Sequence, residues 1–285
     1  MATELIWFDR QGKRLGTVGD AGAYSNLSLS RDEKKLVVCR LDSQIGTRDL
    51  WLFDLARGTS SRLTFDPAEE TNPVWSPDGS RVAFSSSSKG TLDIYQKAAT
   101  GAGDAQSLLE SREPKVTMDW SPDGRYILYA ARGRNWALPL EGDRNPIELL
   151  SVSSNPRVSP NGRWFAYVST ESGRPEVHVQ GFPPAGGKWQ VSTTGGSEPS
   201  WRADGKELFY LLGEKLMAVD VKTDSQVFQS GVPKALFDVR LQTPARRTRY
   251  QVAANGQRFL VNVPLDVSSP SPITVVLNWA SGMGR

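Results

Sequence analysis

The 285-residue sequence predicts an all-β protein, a six-bladed β-propeller made of four-stranded antiparallel blades. The first observation is a turn motif: Ser-Pro-Asp-Gly occurs at 76–79 and 121–124, and weaker copies recur along the chain. The second is the spacing of the copies, whose steps are 46, 45, 38, 43 and 51 residues between Asp32, Asp78, Asp123, Asn161, Asp204 and Asn255. A period of about 40–45 residues is typical of propeller blades.

Each motif is flanked by short apolar or alternating runs, which predict the first two strands of a blade. Residues 72–75 precede the second copy and residues 81–85 follow it. Proline fixes φ at the first central position, aspartate can bond its own backbone, and glycine accepts a positive φ, so the motif suits a hairpin turn. Because the motif recurs in every repeat, we interpret it as part of the scaffold and not as a catalytic site.

A second pair of strands follows each hairpin. Residues 49–54 and 61–64 form such a pair in the first repeat, and residues 92–95 and 106–109 in the second. Four strands make one blade. Long apolar stripes with a 3.6-residue period are absent, so we expect almost no helix.

The ends of the chain decide how the ring closes. Residues 5–9 resemble residues 50–54, the third strand of a blade, while residues 250–263 supply the first two strands of one. The N-terminal strands are therefore predicted to complete the last blade. A further strand at 273–279 competes for that place, and a seven-bladed or incomplete ring is the alternative. We expect residues 1–285 to form a single propeller domain, a fragment of a longer protein.

Composition sets limits on the partners. With 34 basic and 31 acidic residues the net charge is +3, which does not indicate nucleic-acid binding. Neither a signal peptide nor an apolar run long enough to span a bilayer is present, so we expect no direct membrane insertion by this chain. Cys39, the only cysteine, lies in an apolar run and is expected to be buried in the core.

Catalytic signatures are missing from the sequence. His178 is the only histidine, and there is no Gly-x-Ser-x-Gly elbow, no paired metal ligands and no phosphate-binding loop. The adjacent Glu69 and Glu70 are interpreted as solvated carboxylates, although such pairs can act as acid and base. We expect a protein that is not an enzyme and that uses no cofactor and no metal.

Tryptophans at strand positions are expected to pack between blades, because large aromatic side chains dominate such cores. These are Trp51, Trp75, Trp120 and Trp201. For Trp136 and Trp189, which are nearer to loops, sugar stacking is the alternative.

Alignment of the repeats on the turn motif predicts which side chains face the central channel. Positions expected to point into the packing are Leu29, Trp75, Trp120, Val158, Trp201 and Val252. Side chains alternate along a strand, so the preceding residues should face the opposite way. They are Ser28, Val74, Asp119, Arg157, Ser200 and Gln251. Two residues earlier, a ring nearer the mouth would consist of Asn26, Asn72, Thr117, Asn155, Glu198 and Arg249.

From these two rings come the candidate ligand-binding residues Asp119, Arg157, Glu198, Arg249, Asn72, Asn155 and Gln251. We expect Arg157 and Arg249 to bind a polar small molecule or a peptide end, with Asp119 and Glu198 opposite them. The alternative is that these charges are solvated in a wet pore and pair with one another. The basic run 246–249 is either a solvated loop or an anion contact.

The repeated Trp-Ser-Pro-Asp-Gly pattern resembles the TolB-like, WD-like bacterial β-propeller repeat. Residues 72–85 and 117–130 match it closely, 155–168 and 198–211 match well, and 26–39 and 249–262 match loosely. The resemblance implies the propeller fold over nearly the whole chain. It implies little about function, which varies among such propellers.

A narrower resemblance involves residues 5–13, 63–67 and 273–279, which look like the C-terminal propeller of bacterial membrane-anchored serine/threonine protein kinases. This implies an extracytoplasmic, periplasmic sensor part, with a cytoplasmic location as the alternative. No kinase signature occurs in the chain itself.

The expected function is non-catalytic recognition of a protein, a peptide or a small polar ligand at the channel or on one face. Because ring closure buries the strand edges, we expect a monomer. The alternatives are a pure protein-interaction scaffold, a propeller lyase or hydrolase, and the propeller of a prolyl-oligopeptidase-like protease.

Overall fold

In a computed structural model, residues 2–150, 153–241 and 248–265 are described and form six antiparallel sheets, the blades of a six-bladed β-propeller. These residues contain no helix, and so none that could cross a bilayer. The predicted all-β fold with six blades is confirmed. The fifth blade has one additional short strand beyond four.

The strands follow the repeats. In blade 6 the two outer strands are β1 (Thr3–Asp9) and β2 (Arg14–Gly22). Blade 1 contains β3 (Tyr24–Leu29), β4 (Lys35–Leu41), β5 (Arg48–Asp54) and β6 (Thr59–Arg62). Blade 2 contains β7 (Glu70–Trp75), β8 (Arg81–Ser86), β9 (Asp93–Ala98) and β10 (Gln106–Leu109). Blade 3 contains β11 (Val116–Trp120), β12 (Tyr126–Ala131), β13 (Arg134–Pro139) and β14 (Ile147–Leu150).

The second half of the ring is built in the same way. Blade 4 contains β15 (Ser153–Val158), β16 (Trp164–Ser169), β17 (Glu176–Gly181) and β18 (Ala185–Gln190). Blade 5 contains β19 (Ser197–Trp201), β20 (Glu207–Leu212), β21 (Lys215–Lys222), β22 (Gln229–Ser230) and β23 (Lys234–Asp238). The inner strands of blade 6 are β24 (Tyr250–Val252) and β25 (Arg258–Pro264).

Both ends of the chain contribute to blade 6, which has the strand order β2-β1-β25-β24. The β1–β25 ladder runs without a register shift from Thr3 opposite Pro264 to Asp9 opposite Arg258. The prediction that the N-terminal strands complete the last blade is confirmed. The competing strand predicted at 273–279 lies outside the described residues.

The turn motif is held by its own side chains. In blade 2, Ser76 Oγ donates to Asp78 Oδ1 over 2.6 Å and accepts from Arg81 N over 2.9 Å. Asp78 Oδ1 also accepts from Ser80 N over 3.0 Å, and these hydrogen bonds lower the pKa of Asp78 to about 2. Gly79 has φ +69°, a conformation that glycine adopts without strain. The motif is therefore local scaffold, as its repetition indicates.

In the described part of the chain, six hydrophobic clusters form the core, one at each contact between neighbouring blades. The cluster between blades 1 and 2 contains Val37, Leu50, Trp75 and Phe84, and the one between blades 4 and 5 contains Trp164, Leu208 and Phe228. Trp120 lies between blades 2 and 3, and Trp201 packs against the cluster between blades 4 and 5. Packing of these tryptophans between blades is thus as predicted.

Other aromatic and sulfur side chains are also part of the core. Trp189 packs edge-to-face on Trp164, with ring centroids 5.3 Å apart, and Trp136 packs beside the cluster between blades 2 and 3.

Cys39 is fully buried, as expected, and burial raises the pKa of its thiol to about 12. His178 stacks on Tyr167, and burial lowers the pKa of its imidazole.

Candidate functional site

A cavity of about 330 Å³ lies on the axis of the ring, where the innermost strands of all six blades meet. The alignment of repeats predicts that one residue of each inner strand faces this channel. All six of these residues line the cavity: Ser28, Val74, Asp119, Arg157, Ser200 and Gln251. One side chain per blade, at the same height in each repeat, therefore forms a ring that is mixed in charge and polarity.

Indole groups join the inner strands around this cavity. Trp75 Nε1 donates to Ser28 O of blade 1 over 2.9 Å, and Trp201 Nε1 donates to Arg157 O of blade 4 over 3.0 Å. Trp120 Nε1 instead donates to Gly124 O in the turn of its own blade, over 3.1 Å. The three rings also line the cavity, so its wall combines rigid apolar surface with the polar ring.

Arg157 reaches across the cavity between blades. Its guanidinium donates to Met118 O of blade 3 and, over 3.1 Å, to Thr248 Oγ1 at the start of blade 6. The neighbouring Asp119 accepts a hydrogen bond from Val158 N through Oδ2 over 2.8 Å. Burial raises the pKa of Asp119, and the nearby positive charge of Arg157 opposes this shift. The two charges therefore lie at one wall, within the contact between blades 3 and 4.

Two amide side chains extend the polar wall. Gln251 Nε2 donates to Leu27 O over 2.9 Å, while its Oε1 accepts from Leu29 N over 3.3 Å, so this side chain ties blade 6 to blade 1. Asn72 Oδ1 accepts from Thr71 Oγ1 over 2.9 Å and lies at the cavity. Both amide side chains form hydrogen bonds with neighbouring residues and add polar surface to the channel wall.

The second predicted ring has a backbone role. Four of its members have positive φ angles: Asn26 at 51°, Asn72 at 54°, Asn155 at 54° and Glu198 at 49°. Each lies at a β-bulge, where the register between the first two strands shifts. Asparagine is enriched in this left-handed region, which explains why three of the four residues are asparagines. Of the second ring, Asn26, Asn72 and Thr117 line the cavity, whereas Asn155, Glu198 and Arg249 are outside its lining.

Glu198 and Arg249 bind each other and do not lie on opposite sides of the channel. Arg249 Nε donates to Glu198 Oε1 over 2.6 Å, and Arg249 N donates to Glu198 Oε2 over 2.9 Å. Both side chains are buried. Burial raises the pKa of Glu198 and the charge of Arg249 opposes that shift. The expected arrangement of Arg249 facing Glu198 across an opening is wrong in its geometry, because the two residues form an ion pair between blades 5 and 6.

One mouth of the cavity is at the end of the ring that carries the hairpin turns, which we call the turn face. Residues of these turns line that end: Arg31, Glu33, Pro122, Pro160, Ala203 and Ala254. Arg31 is exposed there, and its positive charge weakly opposes the rise that burial causes in the pKa of Asp119. The rim and the wall thus carry both signs of charge, with Arg31 and Arg157 as the cations and Glu33 and Asp119 as the anions.

Among the described residues, no group of three or more His, Cys, Asp and Glu side chains could hold a metal ion. The chemistry available at the channel is hydrogen bonding, ion pairing and contact with aromatic surface. Of the candidate residues, Asp119, Arg157, Asn72 and Gln251 meet at the cavity. A role in ligand binding remains a prediction for all seven.

Comparison with known proteins shows the same kind of repeat. Residues 12–153 match the family model described as the TolB beta propeller domain. The Tricorn protease homolog 1 of Streptomyces coelicolor is 38% identical over 93 residues, which make up 30% of this chain and 8% of that protein. The uncharacterized peptidase YuxL of Bacillus subtilis is 33% identical over 82 residues, 29% of this chain and 12% of that protein. The chain thus spans a small part of the length of both relatives.

Solved structures show the fold over a larger part of the chain. TolB from Acinetobacter baumannii superimposes with a TM-score of 0.61 at 19% identity, covering 82% of this chain and 66% of that one. A structure from Agrobacterium tumefaciens with a provisional TolB assignment has a TM-score of 0.68 at 16% identity, covering 93% of this chain and 99% of that one. At these identities the likeness concerns the fold.

Proposed function

We propose that this chain, which is a TolB-like β-propeller, is a non-catalytic recognition domain that binds a peptide segment or a small polar ligand in its axial cavity. The observation that supports this most directly is the ring of six side chains, one from each inner strand, around a cavity of about 330 Å³. A volume of a few hundred Å³ is that of a typical ligand pocket. Propellers of this family commonly serve in protein interactions, which agrees with the proposal.

The lining indicates the kind of ligand. Arg157 and Arg31 offer positive charge, Asp119 offers negative charge, and Gln251 and Asn72 offer amides. A group that carries both a carboxylate and hydrogen-bond donors, such as the end of a peptide, complements this set. The apolar surfaces of the three tryptophans would accommodate its side chains.

The test is a thermal-shift screen of the chain against amino acids, short peptides, sugars and nucleotides. A ligand that binds only the folded state stabilises it by about 2.7 kcal/mol at a hundredfold excess over Kd. We expect a reproducible shift with at least one peptide or polar small molecule. The shift should disappear in the double variant Asp119→Asn, Arg157→Ala and persist in Arg112→Ala, which removes an exposed arginine outside the cavity lining.

Arg249 is left unchanged in this test, because loss of its buried ion pair would affect folding as well as binding. A shift that survives in the double variant would place the ligand elsewhere. If no ligand class shifts a cooperatively folded protein, the chain is a protein-interaction scaffold and the channel proposal fails.

We further propose that the whole protein uses this domain as an extracytoplasmic, periplasmic sensor of a serine/threonine kinase. Support comes from the resemblance of residues 5–13 and 63–67 to such propellers. A cytoplasmic propeller of a peptidase is the second candidate, because two relatives carry peptidase names. The flanking coding sequence separates the two: a kinase domain upstream supports the sensor, and a hydrolase domain downstream supports the peptidase.

A further inference from the structure

A second cavity, of about 340 Å³, lies away from the channel in blade 1. It is formed by the end of β4, the loop that follows, and the facing parts of β5 and β6. Its lining consists of Arg40, Leu41, Asp42, Ser43, Gln44, Asp49, Trp51 and Arg62. None of these residues lines the axial cavity, so this cavity is separate from the site proposed above. We propose that it binds a carboxylate carried on an apolar group, and that Arg40 is the residue that binds the carboxylate.

The guanidinium of Arg40 is held in place by an aromatic ring. Its Cζ lies 4.6 Å from the centre of the Trp51 ring, which holds the guanidinium over an aromatic face. The Arg40 side chain forms no hydrogen bond and no ion pair with any described residue. The other arginines nearby are paired: Arg62 with Asp49 and Arg48 with Glu69, each at 2.7 Å. Arg40 is therefore the arginine of this cluster whose donors are available to a ligand.

The strand register places Arg40 opposite an aspartate that binds another arginine. Arg40 lies directly opposite Asp49 in the β4–β5 ladder, where opposite charges usually pair. Asp49 instead binds Arg62, whose Nε also donates to Thr64 O over 2.8 Å. Because the Asp49 carboxylate is buried and engaged by Arg62, it does not form an ion pair with Arg40.

Two arginines and two aspartates line the cavity, so its lining is neutral overall and favours a monoanion over a dianion. Asp42 Oδ1 accepts from Gln44 N over 2.8 Å and from Ile45 N over 3.3 Å, so this carboxylate orders the loop. Asp42 and Asp49 both line the cavity, and a dianionic phosphate would be repelled by the two carboxylates. A carboxylate needs one guanidinium, which can bind it through two parallel hydrogen bonds.

Two exposed apolar side chains lie next to residues of the lining. Ile45 follows Gln44 in the loop and is 54% exposed, and Phe65 is 69% exposed with its ring 5.2 Å from Arg62 Cζ. Both are among the most exposed large hydrophobic residues described. A carboxylate with an apolar substituent would place its charge on Arg40 and its apolar part against these surfaces. Peptide C-termini with an apolar last residue and free apolar acids both have this chemistry.

Titration calorimetry on the whole chain tests the proposal with three probes: N-acetyl-Ala-Ala-Leu with a free carboxylate, the same peptide as its amide, and 4-methylpentanoic acid. We expect saturable binding of the acid peptide with a stoichiometry of one at this site, and at least tenfold weaker binding of the amide. If 4-methylpentanoate binds as tightly as the peptide, the ligand is a small acid; if only the peptide binds well, the ligand is a chain terminus.

Variants then locate the binding. Arg40→Ala should weaken binding of the acid peptide at least tenfold. Arg57→Ala, which removes an arginine of the same blade that is 81% exposed and outside the cavity, should leave it unchanged. The channel variant Arg157→Ala should leave unchanged the part of the binding that Arg40→Ala removes, which separates this proposal from the proposed function. Equal binding of acid and amide by the unmodified chain, unaltered binding in Arg40→Ala, or no saturable binding at all would each overturn the inference.

Discussion

Arg249 and Glu198 form a buried ion pair that joins blade 6 to blade 5, with 2.6 Å between Arg249 Nε and Glu198 Oε1. The side chains are 8% and 5% exposed, so water screens the pair very little. Glu198 also accepts a hydrogen bond from Tyr250 OH through its main-chain oxygen, over 2.8 Å. The pair fixes the position of the short strand β24 and therefore the last segment of the channel wall.

Removing one partner of this pair should destabilise the fold strongly. For Glu198→Ala we expect a loss of about 3–5 kcal/mol in the free energy of unfolding, because Arg249 is left buried without a counter-charge. Urea unfolding followed by tryptophan fluorescence measures this loss. As a control, Glu148→Ala breaks the exposed ion pair with Arg134 and should produce no measurable change. A small effect of Glu198→Ala would mean that water reaches the pair.

Glu70 should make the stability depend on pH. Burial raises the pKa of its carboxyl from 4.5 to about 7, and its Oε2 has no hydrogen-bond partner among the residues that the structure describes. Below pH 4.5 the carboxyl is protonated in both states and costs nothing. As pH rises from 4.5 to about 7, the unfolded chain releases the proton before the folded one does, and stability is lost over that interval.

The variant Glu70→Gln stays neutral and should not show this loss. Relative to the unmodified chain we expect it to gain up to about 3 kcal/mol above neutral pH and little at pH ~4. Unfolding in urea at a series of pH values measures the difference. Parallel pH profiles for the two proteins would contradict the raised pKa.

The N-terminal strands should be required for the folded ring. Without residues 2–22, β25 loses its ladder with β1, and the buried side chains of Leu5 and Ile6 are removed. An unpaired strand edge promotes association, so we expect the shortened chain to aggregate and to lose its cooperative unfolding transition. Size-exclusion chromatography and thermal melts show both effects.

A synthetic peptide of residues 2–22 added in trans should restore the monomer and the transition. The same peptide with Leu5→Asp should fail, because it would place a charge in the cluster between blades 6 and 1. If the shortened chain remains monomeric and melts cooperatively without any peptide, the closure strands are dispensable.

Much of the fold can be predicted from the sequence because the signals are local and repeated. Ser76, Asp78 and Gly79 each have a residue type that the turn requires, and the same types recur at the blade spacing. Alignment on these turns also places one residue of each blade at the channel, since side chains alternate along a strand. The N-terminal segment could be assigned to the last blade because residues 5–9 resemble the third strand of the first repeat.

The second ring shows where this reasoning is insufficient. Asn72 and Asn155 are polar at a position that the repeats predict to face the channel, which fits a ligand contact, but asparagine also suits a bulge with positive φ. The sequence alone does not distinguish an asparagine that contacts a ligand from one that is required by the backbone conformation. The ion pair of Glu198 with Arg249 joins residues 51 positions apart across a blade contact, which no local pattern encodes.

The interpretation of Glu69 and Glu70 as solvated carboxylates is wrong for Glu70. Glu69 forms its ion pair with Arg48, whereas Glu70 begins β7 and is 2% exposed. Adjacent residues at the start of a strand point to opposite sides, so two identical side chains meet different surroundings. Which of them is buried depends on the loop that leads into the strand.

The pairing of β1 with β25 also sets an order on events during protein synthesis. The hairpin of β1 and β2 leaves the ribosome before the strands of blades 1–5, but the strand that pairs with β1 is translated more than 230 residues later. At translation rates of about 5–20 residues per second this interval lasts roughly 10–50 s. A two-stranded hairpin is at best marginally stable on its own. The β1–β2 segment therefore stays without its partner strand, and without stable structure, while blades 1–5 are synthesised and form.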